Sequence, residues 1–203
     1  MQEIEAKFFV QDLSRIKTQL EKSDAQLIQE RVLETNMRFD LPGATLLAQG
    51  RVLRLRRDTD VRLTYKSAST NEQGVLSREE IEFVVEDYEK ARRFLEALGY
   101  QKLLYYEKYR TTYELSKTHI MLDELPCGDF VEIEGETLES IRKVADQLSL
   151  NWETTIATSY SALFDRVQQA LKLPFQDISF DNFEGIKVEA SDLGVHAADA
   201  QEG

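Results

Sequence analysis

Residues 51–66 read RVLRLRRDTDVRLTYK, and their alternation decides the fold. Leu53 and Leu55 take turns with Arg54 and Arg56, and Val61, Leu63 and Tyr65 with Arg62, Thr64 and Lys66. Period two is the signature of a strand, whose successive side chains point to opposite faces. Each of these strands therefore carries one apolar face and one that is nearly all charge. The pattern recurs outward along the chain. Ile4, Ala6 and Phe8 oppose Glu3, Glu5 and Lys7; Ile81 and Phe83 oppose Arg78, Glu80 and Glu82. Lys108 and Arg110 share a face, Ile120 and Leu122 oppose Asp123, and Val131 and Ile133 oppose Glu132 and Glu134.

Strands are predicted at 2–10, 29–40, 50–57, 60–67, 76–86, 103–114, 118–124 and 129–135, with residues 66–74 as a polar hairpin loop. Helical spacing occurs in four places: Leu13, Ile16 and Leu20; Tyr88, Ala91, Leu95 and Leu98, closed by Gly99; Leu138, Ile141, Val144, Ala145 and Leu148, capped by Thr137; and Tyr160, Leu163, Phe164, Val167 and Leu171. Antiparallel strands interrupted by amphipathic helices define an α+β domain.

Any one of these strands fits a sheet with one face in water. Taken together they do not. Their polar faces hold few Ser, Thr or Gln, Arg outnumbers Lys, and like charges come in doublets such as Arg54/Arg56 and Glu132/Glu134. The bases are Lys7, Arg54, Arg56, Arg62, Lys66, Arg78, Lys108 and Arg110; the acids are Glu3, Glu5, Glu80, Glu82, Asp123, Glu132 and Glu134. Such a mixture is costly if merely buried. It makes sense where acids hold hard cations and bases hold a polyanion. Rolling the sheet up places this face inside an eight-stranded antiparallel β-barrel with a charged interior, surrounded by the amphipathic helices. The usual barrel has an apolar interior.

Composition narrows the field. The 203 residues are 42% hydrophobic and 31% charged, ordinary for a globular domain. No apolar run approaches the ~20 residues of a membrane span, no secretory signal is visible, and the single Cys127 suits a reducing compartment, so a cytoplasmic location is expected. A net charge of −12 argues against a nucleic-acid partner, and no membrane partner is expected. Residues 174–203 carry seven acids against Lys187 and no clear period. They are expected to form an acidic, partly disordered C-terminal tail behind a domain at 1–173. His119 and Cys127 read as structural rather than catalytic.

The ordered set Glu3-Ile4-Glu5-Ala6-Lys7, NMRFDLP (36–42), Leu53–Arg56, Leu63–Lys66, Arg78–Glu82, Lys108–Arg110, Leu122-Asp123, Gly128–Glu134 and Ser159-Tyr160 resembles the CYTH superfamily, the triphosphate tunnel metalloenzymes. Arg38 departs from that pattern, standing where an aromatic residue is common. The resemblance implies a triphosphate tunnel with one or two Mg²⁺ or Mn²⁺ ions. By position, Glu3, Glu5, Glu132 and Glu134 would be the principal metal ligands, with Glu80, Glu82 and Asp123 at a second site or orienting water. Lys7, Arg54, Arg56, Lys66, Lys108 and Arg110 would grip phosphates, with Arg62 and Arg78 added by parity. Lys7, Glu82 and Asp123 are the expected catalytic residues. The implied partner is a triphosphate-containing small molecule, and the protein is expected to be a monomer or homodimer. Hydrolysis of tripolyphosphate or a small organic triphosphate is the leading reaction. A class IV adenylyl cyclase, and a non-catalytic polyphosphate- or nucleotide-binding module, stay open. Crowding among the acids leads to one more expectation, that Glu132→Gln spares the fold.

Overall fold

The structure, a computed structural model, describes residues 2–200, with side chains from Ile4 onward. It contains strands β1 (Gln2–Val10), β2 (Gln26–Asp40), β3 (Val52–Arg57), β4 (Val61–Lys66), β5 (Thr70–Glu72), β6 (Val75–Val84), β7 (Gln101–Leu115), β8 (Thr118–Leu125) and β9 (Gly128–Glu134). Its α-helices are α1 (Leu13–Lys22), α2 (Thr45–Ala48), α3 (Tyr88–Ala97), α4 (Leu138–Gln147), α5 (Tyr160–Leu171) and α6 (Ala190–Leu193). The strands run in the order β1-β9-β8-β7-β2-β3-β4-β6-β5, and β1 also pairs with β6. Eight strands thus form a ring-like antiparallel sheet, in which the first part of β2, 26–34, pairs only with β7. β5 continues the β4 arm alongside β6. The expected loop at 66–74 therefore shrinks to the link 67–69 and the turn at Gln73 (φ 51°) and Gly74 (φ 86°), the latter two in the positive-φ region that a tight two-residue hairpin requires.

Register sets the two faces. Glu5 lies opposite Glu134, Lys7 opposite Glu132, Arg54 opposite Thr64, Thr64 opposite Glu82, and Arg110 opposite Asp123. Phe8, Val131, Ile133, Ile120 and Leu122 point the other way, into a core closed by Ile16 and Leu20 of α1 and Ile141, Val144 and Ala145 of α4. A second outer core joins Phe39, Leu53 and Leu55 to Leu46 of α2 and Leu95 of α3. Side chains cap the helix ends: Asp12 accepts from the Arg15 amide, Asp87 from Lys90, and Thr137 forms a capping box with Ser140.

Two expectations change. Only three of the four amphipathic helices cover the outer face. α5 instead lies across one end of the ring, where inward-facing Phe9, Phe130, Leu104, Tyr106 and Leu125 join Tyr160, Leu163, Phe164 and Val167 in one apolar cluster. The outer face of β6 stays uncovered, with Ile81 and Phe83 half exposed.

The second change concerns the acidic tail. Its described part, 174–200, is docked rather than disordered. Ile178 exchanges backbone hydrogen bonds with Tyr105 and Glu107, taking over the β7 edge beyond the reach of β8. The Ala198 amide donates to Phe9 O on the edge of β1 that β6 leaves free. Asp199 accepts from the Gln11 and Asp12 amides at 2.9 and 2.8 Å. Backbone groups at strand edges seek partners whatever the side-chain period. Phe183, Leu193 and Ala198 add buried apolar area.

Candidate functional site

The inward faces enclose a cavity of about 920 Å³. Ten basic side chains line it: Lys7, Arg38, Arg51, Arg54, Arg56, Arg62, Lys66, Arg78, Lys108 and Arg110. Five described carboxylates face them, Glu5, Glu80, Glu82, Glu132 and Glu134. All eight bases expected from the sequence are present. Glu3 pairs with Arg78 through its backbone, and its side chain lies outside the described residues.

The charges are ordered into local networks. Lys7 donates to Thr158 O at 3.1 Å, pairs with Glu132 at 3.3 Å and sits 4.1 Å from the centre of the Tyr160 ring. Arg110 grips Glu132 and forms two 2.6 Å bonds to Asp123. Asp123, at 0% exposure, also accepts from Lys108 at 2.9 Å and from the Tyr160 hydroxyl at 2.8 Å. Glu82 accepts from the Thr64 hydroxyl at 2.7 Å and from Arg56 at 3.2 Å, with Arg54 and Arg62 each 3.7 Å away. Lys66 pairs with Glu80 at 3.2 Å, and Arg78 with Glu5 at 3.4 Å. Arg62 is largely committed to the β3–β4 turn, at 2.9 Å from Asp58 and 2.7 Å from Asp60.

These networks fix ionisation. Burial alone would raise the Glu132 carboxyl, but Lys7, Lys108 and Arg110 hold it well below the usual carboxylate range. Burial would lower the Lys108 ammonium, and Arg110 adds to that, yet Asp123, Glu34 and Glu132 keep it above its ordinary value. Burial and the neighbouring Asp123 push the Tyr160 hydroxyl well above its ordinary value, so Tyr160 is a fixed donor. Burial raises the Cys127 thiol to about 12, in keeping with an inert residue.

Asp123 is one of the carboxylates expected at a second metal site or orienting water. It is absent from the cavity lining, and its oxygens are taken by Lys108, Arg110 and Tyr160. That makes it the shared anchor of Lys108 and Arg110, two bases of the cavity lining. Glu5 and Glu134 are the carboxylates best suited to a metal. They stand directly opposite each other on β1 and β9 and both line the cavity, with Arg78 3.4 Å from Glu5. Among the described residues no three His, Cys, Asp or Glu side chains form a ready cage. A Mg²⁺-like ion needs none, because one or two carboxylates suffice when phosphate and water oxygens complete its shell. The residues present therefore fit such an ion.

The sequence pattern that defines the CYTH domain matches residues 1–160. The chain belongs to the CYTH family. A Methanocaldococcus jannaschii protein described as a "putative adenylate cyclase" is 26% identical to this CYTH chain over 174 residues, covering 80% of it and 98% of the relative. A Vibrio parahaemolyticus structure of the same description superposes with a TM-score of 0.71 at 22% identity, over 80% of this chain and 97% of the other. A Hippeastrum protein, described as an adenylyl cyclase candidate with a dominant triphosphatase activity, gives a TM-score of 0.55 at 19% identity. It covers 96% of this chain and all of its own. The last two likenesses speak to the fold.

The sequence reading missed Glu34, 1% exposed, which pairs with Lys108 at 3.4 Å and Arg56 at 3.6 Å and accepts from Asn36 at 2.9 Å. Burial would raise its carboxyl, but Lys108, Arg110 and Arg56 hold it far below the usual range. Parity with Asn36 and Arg38 was the available signal. Tyr106 lies 3.4 Å from Arg54 in the cavity wall. His119, by contrast, stays outside the lining, with its side chain half exposed.

Proposed function

We propose that this CYTH protein is a metal-dependent triphosphatase acting on inorganic tripolyphosphate or a small organic triphosphate. The observation that carries the reading is the convergence of ten basic side chains and five carboxylates on one cavity inside the strand ring. Phosphoryl transfer is mostly positioning and charge neutralisation, which is what such a lining supplies. Arg54, Arg56, Lys66, Lys108 and Arg110 would hold the phosphate chain, with Asp123 and Glu34 fixing Lys108 and Arg110 from behind. Glu5 and Glu134, with Glu132 beside them, would hold Mg²⁺ or Mn²⁺, which when bound neutralises charge on the phosphate oxygens. Water attacks the terminal phosphorus, the bond to the bridging oxygen breaks, and orthophosphate, diphosphate and a proton leave.

A second reading, cyclisation of ATP to cyclic AMP and pyrophosphate, draws on the relatives' names. It also draws on exposed apolar Leu47, Ile81 and Phe83 at the cavity rim, a surface on which a base could rest. A product assay decides. The protein is incubated with tripolyphosphate, ATP or thiamine triphosphate and Mg²⁺ or Mn²⁺, and orthophosphate and cyclic AMP are measured separately. Orthophosphate dominates if the proposal holds. Dominant cyclic AMP favours the cyclase, and no turnover with any substrate favours a binding module.

A further inference from the structure

One part of the cavity wall is unlike the rest, since it is built from a helix end rather than from strands. Thr158, Ser159, Tyr160 and Ser161, where α5 begins, all line the cavity. Ser159 caps the helix by accepting from the Ala162 amide at 3.3 Å. The amides of Tyr160 and Ser161, in the first turn, have no partner within the helix, and the helix dipole makes this end attractive to anions.

A second observation points to a ligand at the same place. Arg38, only 7% exposed, reaches from β2 to this helix end and donates to the Ser161 hydroxyl at 2.6 Å. Its Nε has no hydrogen-bond partner, although the atom is buried. A buried guanidinium N–H without an acceptor is costly. No carboxylate hydrogen-bonds it among the described residues: Arg54 lies opposite on β3, and the oxygens of the nearby Asp40 accept from the Leu41, Leu46 and Leu47 amides. A tetrahedral oxyanion would supply the missing acceptors to the Arg38 fork and the α5 amides together.

The geometry points to an anion subsite formed by Arg38, Ser161 and the N-terminus of α5, which takes a terminal phosphate group of the substrate at the end of the cavity that α5 closes. This rests on the triphosphatase reading and adds to it: the subsite engages a chain long enough to reach α5 from the strand-borne bases, so tripolyphosphate uses it and a shorter chain such as pyrophosphate depends on it less.

Calorimetric titration of tripolyphosphate and of pyrophosphate, without metal, tests the subsite on the full chain. Arg38→Gln should weaken tripolyphosphate binding about tenfold or more, the scale of one lost charge-assisted contact, and change pyrophosphate binding much less. Ser161→Asp sharpens the test. A carboxylate in the first helical turn favours the helix, so the thermal midpoint should hold or rise, yet the internal anion fills the subsite and tripolyphosphate binding should fall about tenfold or more. A purely structural Arg38–Ser161 contact would leave Ser161→Asp binding at the wild-type level. Tripolyphosphate affinity unchanged in both variants, or equal losses for both anions, overturns the subsite alone. A wild-type protein that binds no tripolyphosphate overturns the cavity reading and the subsite with it.

Discussion

The two ends of the strand ring use the same inward parity for opposite purposes. Moving two residues along a strand turns Lys7 into Phe9, Glu132 into Phe130, Asp123 into Leu125 and Lys108 into Tyr106. The first member of each pair belongs to an ionic network, and the second joins the apolar cluster under α5. Alternation therefore decides which side a residue faces. What packs against that side decides whether it must be charged.

The largest expected effects come from attacking each end at its centre. Asp123→Ala leaves Lys108, Arg110 and the Tyr160 hydroxyl without their common acceptor and should cost about 3–5 kcal/mol, read by denaturant unfolding, with turnover lost as well. Phe130→Ala at the other end removes a ring packed edge-on against Phe9 and Tyr160. It should cost a comparable ~3–5 kcal/mol while leaving tripolyphosphate binding largely intact. Were Asp123→Ala as stable as wild type, the charged end would not be the coupled network its distances indicate.

Glu132→Gln comes next. Acid crowding suggested that this change spares the fold, but the pairs with Lys7 and Arg110 reverse the sign. The variant should lose about 1.5–3 kcal/mol at pH 7, the range for hydrogen bonds to charged groups. Because the folded carboxyl lies below its unfolded value, this stability is present above about pH 4.5. It is lost as pH falls toward the folded value, so the gap between wild type and variant should close in acid.

The smallest effect lies on the outer face. Burial, with Glu124 directly opposite, raises the Asp129 carboxyl to about 6. A raised carboxyl costs stability above its folded pKa and nothing below its unfolded one. Asp129→Asn should therefore stabilise the fold at pH 7, by no more than about 1 kcal/mol for a half-buried, partly screened group. At pH 4 it should be nearly neutral, as thermal midpoints at the two pH values would show.

Much of this was legible because charged alternation survives pairing: Arg54, Arg56, Glu82 and Lys108 face inward as their parity required. Glu34 escaped because the β2 register shifts near Leu27, Gln29 and Val32 interrupt the alternation before it. The role of α5 escaped because its apolar stripe fits an outer sheet face as well as a ring end, and Phe9 and Phe130 look like ordinary strand residues. The docked tail escaped because Ile178 and Ala198 are held by backbone pairing at strand edges, which leaves no side-chain period to read.

The most direct measurement is a crystal structure of the protein with a non-hydrolysable imido analogue of tripolyphosphate and Mg²⁺. The account predicts the analogue inside the ring, its oxygens within hydrogen-bond reach of Arg54, Arg56 and Lys108. An analogue bound only to the outer surface, with those three side chains still engaged only by the protein's own groups, would contradict it.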